Sequence, residues 1–174
     1  IIQPTKDMIL GSFWATMIEP GAKGEGKIFG SEKEAVMTYE IGAIDLRAKI
    51  KVRLTERRSA EDGAESGLIE TTAGRLLFNR VLPDDYPFVN KEIKSRDAEN
   101  LVSDIIQRYG IGRTPPTLDA MKKFGFRYAT GSGISWGMND LKLPPQKQQW
   151  IAEAEKEVVV AFTLVTLPEK LPAT

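Results

Sequence analysis

Between residues 46 and 54 the chain reads Leu-Arg-Ala-Lys-Ile-Lys-Val-Arg-Leu, with apolar and basic residues in strict turn. Successive side chains of an extended strand point to opposite faces. Leu46, Ala48, Ile50, Val52 and Leu54 therefore share one face, and Arg47, Lys49, Lys51 and Arg53 the other. A helix would scatter that set around its axis. The spacing predicts a strand with one buried and one basic face. The basic face suits either contact with phosphates or a solvated surface balanced by nearby Glu. Residues 55–67 are polar and rich in turn formers, and read as a hairpin tip. Residues 67–72, with Leu68 and Ile69 inward, are the predicted return strand.

Helical signals surround this hairpin. Thr5 is a predicted N-cap, with Asp7 in the first turn. Met8, Ile9, Phe13, Met17 and Ile18 follow at helical spacing, and Glu19-Pro20-Gly21 ends the segment. Ser31 and Glu34 have the spacing of a capping box, with Ala35, Val36 and Tyr39 inward and Gly42 as the stop. Thr71 or Thr72 caps a further helix that Pro83 ends. Residues 84–93 are a connector. A helix over 97–109 carries Ala98, Leu101, Val102, Ile105 and Ile106, with Gly110 as its stop. Another, after Pro115 and Pro116, turns Leu118, Met121 and Phe124 inward. A last helix is predicted from Leu143-Pro144-Pro145 through Val158, with Trp150, Ile151 and Ala154 on one face. The fold class is α+β, several helices with a small antiparallel β-hairpin.

Several chemistries are excluded by residue type. Cysteine and histidine are absent, which removes thiolate metal sites, disulfides, the usual neutral-pH base and any Ser-His-Asp set. Lys plus Arg equals Asp plus Glu, 24 each, so no net charge draws this chain by itself to nucleic acid. No apolar run reaches the roughly 18 residues of a membrane span. Gly21, Gly26 and Lys27 have the spacing of a phosphate-binding loop. Ile28, however, stands where Ser or Thr would bind Mg²⁺, and no buried strand precedes. A turn and a short strand at residues 27–29 are expected instead. The acidic pairs Asp84-Asp85 and Glu61-Asp62 fall in turns and read as solvated surface. The chain opens on Ile1 rather than Met, which reads as a piece cut from a longer polypeptide.

The stretch over residues 122–143 stands apart. Phe124, Phe126 and Tyr128 precede four small residues, Thr130, Gly131, Ser132 and Gly133; Ile134, Trp136 and Met138 follow. Small residues let a backbone pass close to a neighbour, and large apolar residues on either side anchor the segment. It is predicted as a loop: either an ordinary connector or a surface held at both ends against something that moves.

In order along the chain, I-I-Q-P-T-K-D-M-I-L-G, A-K-G-E-G, E-A-V-M-T-Y, A-K-I-K-V-R, T-T-A-G-R, G-F-R-Y-A-T-G-S-G-I-S and I-A-E-A-E-K-E-V resemble the largest subunit of DNA-dependent RNA polymerase, beta-prime in bacteria. The resemblance covers about residues 1–158 and implies the pore domain, with an F-loop at 119–143 and a divergent tail at 159–174. It implies a cytoplasmic, nucleoid-associated subunit of a nucleotidyltransferase. Its partners would be the beta, alpha, omega and sigma subunits, DNA template, RNA and nucleoside triphosphate, and no membrane. It implies no cofactor in this segment, with the catalytic Mg²⁺ held by aspartates outside it. The role implied is to line the secondary channel, where triphosphates enter and backtracked RNA leaves, and to support the bridge helix and trigger loop. The implied site residues are Lys6, Arg127, Thr130, Gly131, Ser132, Gly133, Ser135, Asn139 and Asp140. An alternative is a freestanding accessory protein with a pore-domain-like fold that binds polymerase.

Four positions depart from the family pattern. Gly131 stands where a basic residue is usual, Arg47 where His is frequent, and Asn139 where Asp is usual. After Val158 a long charged helix is replaced by an apolar, proline-containing tail.

Overall fold

A computed structural model describes residues 4–54 and 67–166, with side chains through Phe162. It divides into two compact units, residues 1–134 and 135–174. The predicted hairpin tip at 55–66 lies outside the described residues.

In the first unit the alternating segment behaves as its pattern requires. Leu46, Ala48, Ile50 and Val52 are buried, while Lys51 and Arg53 are exposed. Strand β2 itself is short, Ile50–Arg53, and pairs antiparallel with β3, Leu68–Thr71, in the register Ile50 to Thr71 and Val52 to Ile69. A two-residue strand β1, Ile28–Phe29, joins β2 in parallel, so the sheet order is β1-β2-β3. The basic face carries its own acids: Glu70 lies 2.8 Å from Lys49 and 3.7 Å from Lys51. Its pairing with Lys49 holds the Glu70 carboxyl below the usual range and raises the Lys49 ammonium. Of the two readings of that face, the solvated, Glu-balanced surface is the one present at Lys49 and Lys51.

Helix α1, Asp7–Thr16, differs from its sequence reading in three ways. Lys6, not Thr5, is the N-cap, at φ 50°, with no side-chain cap bond. The helix stops at Thr16, before Pro20. Its buried face is Gly11, Ser12, Ala15 and Thr16, while Met8, Ile9, Phe13, Met17 and Ile18 are only half-buried. Two glycines of other helices explain this. A Cβ at Gly74 would collide with the Ala15 carbonyl oxygen, and one at Gly125 with the Met8 backbone. Small residues face inward because α1 is flanked by backbone at contact distance, where no large side chain fits.

Helix α2, Glu32–Glu40, has half of the predicted capping box. The Ser31 hydroxyl accepts the Glu34 amide at 3.2 Å, but the Glu34 carboxylate takes the Gly30 amide at 2.9 Å rather than that of Ser31. Ala35 and Val36 are buried and Gly42 closes the helix at φ 71°. Thr72 caps α3, Ala73–Asn79, by accepting the Arg75 amide at 3.2 Å.

A buried polar cluster ties these pieces to the connector over 84–93. Arg75 Nε donates to the Thr16 carbonyl at 2.9 Å, and its Nη1 reaches both the carbonyl and the side-chain oxygen of Asn90. The Asn79 amide brackets Val89, donating to its carbonyl at 2.8 Å and accepting its N–H at 2.7 Å. Thr16 Oγ1 accepts the Ile93 amide at 2.9 Å. Each satisfies a backbone group that burial would otherwise strand. The connector thereby delivers Tyr86, Phe88 and Ile93 to the core.

Helix α4, Ser95–Ser132, is broken at Gly110, which takes φ 71°, ψ 174°. Gly110 is the predicted stop. Pro115 and Pro116 fall within the helical span, and Thr114 Oγ1 bonds the Gly110 carbonyl at 2.8 Å. Its later half buries Thr117, Met121, Phe124, Gly125 and Tyr128; the Phe124 ring stands 5.4 Å from Phe78, edge to face, and 4.5 Å from Tyr128. Leu118 is half-buried.

In the second unit a turn of 3₁₀ helix, Met138–Asp140, precedes α5, Lys147–Thr166. The last helix therefore runs past its predicted end at Val158. Trp136, Met138, Trp150 and Val158 are exposed, with Trp136 at 76% and Met138 at 82%.

Candidate functional site at the end of helix α4

The segment predicted as a loop of small residues is largely helix. Thr130, Gly131 and Ser132 form the last turn of α4, and the chain leaves at Gly133 in the left-handed region, φ 63°. Helix propensity opposes Gly and Ser here, by up to roughly 1 kcal/mol each. Burial of Phe124 and Tyr128 one and two turns earlier holds the helix together through that cost. Ser132 then assists the exit: its hydroxyl donates to the Ala129 carbonyl at 2.7 Å and accepts the Ile134 amide at 3.2 Å.

The bracketing by large residues is one-sided. Phe124 and Tyr128 are buried, but Phe126, Ile134, Trp136 and Met138 are exposed. Phe126 and Ile134 do not anchor the segment in the first unit's core. Gly131 and Gly133 are exposed as well, and a Cβ at either would meet no atom within 4 Å.

Of the sequence-predicted site residues, Arg127 and Gly131 come together. They line a cleft of about 430 Å³ with Trp14, Lys23, Tyr39, Gly42, Ile44, Asp45, Leu46 and Tyr128. Thr130, Ser132 and Gly133 lie on the same turn but outside that lining. Lys6 sits at the start of α1 and does not line the cleft. Ser135, Asn139 and Asp140 belong to the second unit, where Asp140 accepts the Gly137 amide at 2.8 Å.

The cleft has a definite electrostatic character. The Arg127 guanidinium lies 5.8 Å from the Tyr128 ring centre. Lys23 Nζ donates to the Gly42 carbonyl at 2.7 Å, which pins its ammonium beside the opening. Asp45 is the one carboxylate in the lining, and its Oδ1 already accepts the Arg47 amide at 2.9 Å. Burial pushes the Tyr128 hydroxyl up to about 12, with Tyr39 beside it adding to the shift. At neutral pH that phenol is a hydrogen-bond donor.

Sequence reasoning missed most of these walls. Trp14, Lys23, Tyr39 and Ile44 come from four separate segments, and no local pattern links them. The glycine-rich turn over 21–26 does carry a sign of structure, in Gly21, Gly24 and Gly26 at positive φ. Its backbone is committed internally: the Gly21 amide bonds Glu25, Gly26 bonds the Lys49 carbonyl and Lys27 bonds the Gly24 carbonyl. No free ring of N–H groups is left to cradle phosphate.

Among the described residues, no group of three or more His, Cys, Asp or Glu could hold a metal ion. The Mg²⁺ implied by the resemblance has no cradle in them, and no chemical step is derived through it. No described helix is long and apolar enough to cross a membrane.

The fold and the cleft define an α+β module in which a long, broken helix packs against α1, beside a second core built on the three-stranded sheet, and ends at an exposed glycine turn. The chain belongs to the family described as RNA polymerase Rpb1, domain 3, which matches residues 1–141. It is 44% identical over 157 residues to the DNA-directed RNA polymerase subunit beta' of Sulfurihydrogenibium sp., covering 90% of this chain and 9% of that protein. The corresponding subunit of Acidothermus cellulolyticus is 40% identical over 172 residues, covering 90% of this chain and 13% of the relative. That of Desulforudis audaxviator is 40% identical over 176 residues, covering 98% and 14%. The chain thus spans between 9% and 14% of the length of these relatives.

Proposed function

We propose that this chain is a segment of the beta-prime subunit of a bacterial DNA-directed RNA polymerase. In this reading it contributes structure rather than chemistry to nucleotidyl transfer, and residues 1–158 form the pore domain that lines the secondary channel. The observation that carries the reading is the match to beta-prime subunits, at 40–44% identity, across nine-tenths or more of the chain. The exposure of Phe126 and Ile134 in the first unit, and of Trp136 and Met138 in the second, supports it. Large apolar side chains presented to solvent on each unit fit burial against another part of an assembly. The bridge helix and trigger loop are the moving elements they would meet. Lys6, Arg127, Thr130, Gly131, Ser132 and Gly133 of the first unit, and Ser135, Asn139 and Asp140 of the second, would each face the channel, with Lys6 and Arg127 attracting triphosphate. Catalytic Mg²⁺ and the remaining subunits would come from outside this chain.

The test is elongation by a polymerase reconstituted with the full subunit. Gly133→Val forces a β-branched residue into the left-handed exit of α4. Nucleotide addition should slow several-fold while subunit assembly stays intact, and Gly133→Asn should restore most of the rate. Unchanged addition rates in Gly133→Val would refute the supporting role.

A further inference from the structure

We propose that the cleft beside the last turn of α4 binds a small planar aromatic anion. We further propose that its occupancy slows elongation by immobilising that turn. The second half rests on the polymerase reading above; the first does not.

Size comes first. The cleft is open to solvent, and its volume of about 430 Å³ is enough to hold a compact organic ligand. The walls then select its chemistry. Trp14, Tyr39 and Tyr128 make the cleft's aromatic wall, with the Arg47 guanidinium 4.6 Å over the Trp14 ring, and a flat apolar body would rest against their exposed edges. Lys23 and Arg127 supply two positive charges. Among the described residues, neither is within 4.0 Å of a carboxylate. The single lining carboxylate, Asp45, accepts the Arg47 amide on Oδ1 and keeps its negative charge, so the lining sets two cations against one anion. An anion therefore gains charge-assisted contacts without displacing an internal ion pair. A cation or metal ion would meet two like charges and one carboxylate.

Position supplies the consequence. Arg127 and Gly131 lie one turn apart on α4, and the chain bends out of the helix two residues after Gly131. A ligand bridging Arg127 to Lys23 would tie this turn to the loop that follows α1. A segment required to yield to a moving neighbour would then be held in one arrangement.

The measurement is a fluorescence titration of the reconstituted polymerase with anilinonaphthalene sulfonate, an aromatic anion whose emission rises when it leaves water. Three variants separate the cleft from other dye sites. Gly131→Leu adds bulk at the cleft lining from a helical position where a Cβ meets nothing within 4 Å. Arg127→Glu reverses a wall charge, and Gly131→Ala is the folding control. The wild type minus Gly131→Leu difference should saturate as one site, Gly131→Ala should retain it, and Arg127→Glu should weaken it about tenfold or more, as expected for loss of a charge-assisted contact. Superimposable curves for wild type, Gly131→Leu and Arg127→Glu would overturn the site, as would a wild-type enzyme whose assembly leaves nothing to saturate. The elongation rate with and without dye, taken as a ratio for each enzyme, tests the coupling. Slowing in wild type and Gly131→Ala but not in Gly131→Leu is the expected result. Saturable binding with a ratio of one in every enzyme would leave the site standing and overturn its link to elongation.

Discussion

Gly11 of α1 and Gly125 of α4 pack backbone to backbone: a Cβ on Gly11 would overlap the Gly125 carbonyl oxygen and lie 2.6 Å from the Ala129 nitrogen. The obstructing atoms are main chain, so no side-chain rotation relieves the clash. Gly11→Ala and Gly125→Ala should each destabilise the fold by about 1–3 kcal/mol or more, the usual cost of overpacking. Urea unfolding followed by circular dichroism reads this directly. A midpoint unchanged in both variants would show that the two helices can separate freely.

Arg75 is only 7% exposed, and its guanidinium joins α1 to the connector through Thr16 and Asn90. Arg75→Met should cost about 2–3 kcal/mol, because it strands a buried carbonyl and removes charged hydrogen bonds. Arg75→Lys should recover little of it, since one ammonium cannot span both partners. Full stability in the lysine variant would mean that charge, rather than the forked geometry, matters.

Gly110 and Gly112 make a matched pair. Gly110 sits at φ 71°, ψ 174°, a region essentially confined to glycine, while Gly112 is helical and a Cβ there would meet nothing. Gly110→Ala should lose about 1–3 kcal/mol. Gly112→Ala should gain about 0.5–1 kcal/mol through helix propensity and the unfolded chain. Equal effects of the two substitutions in thermal unfolding would refute the break at Gly110.

The pair Tyr86 and Asp104, hydroxyl to carboxylate at 2.6 Å, makes stability depend on pH at both ends. The Tyr86 hydroxyl, and then Arg108, hold Asp104 below the usual carboxylate range. Its contribution is present above the unfolded value of about 4 and is lost as pH falls through the lower folded value. Tyr86 moves the opposite way, pushed up by burial and then by Asp104. Its contribution is complete below about 10 and is lost as pH rises through the folded value. The stability difference between wild type and Tyr86→Phe should therefore be flat from about pH 6 to 9 and shrink below about pH 4. A difference that does not vary with pH would show that the hydrogen bond carries no net stability.

Much of the fold was legible because its causes are local. The alternation over 46–54, the caps at Ser31 and Thr72, and the stops at Gly42 and Gly110 all recur in the structure. Each depends on residues within one turn or one strand of its neighbours. The α1 interior was not legible, because apolar periodicity points to large side chains, whereas two other helices approach too closely to admit them. The end of α4 was misread for a related reason: Gly131 and Ser132 argue for a loop, and only packing of Phe124 and Tyr128 carries the helix through them. The cleft had no sequence signature, because its walls come from segments separated by up to more than a hundred positions.

The chain's order of residues by itself determined the alternating strand, most of the helices and membership of the Rpb1 domain 3 family, since backbone propensity, period and motif order are properties of the string. Only the tertiary structure decided which face of α1 is buried, that Thr130 to Ser132 are helical, and that Arg127 and Gly131 share a cleft with Trp14 and Lys23. Those outcomes depend on how closely distant backbones approach, and that distance is set by the packing of the whole core.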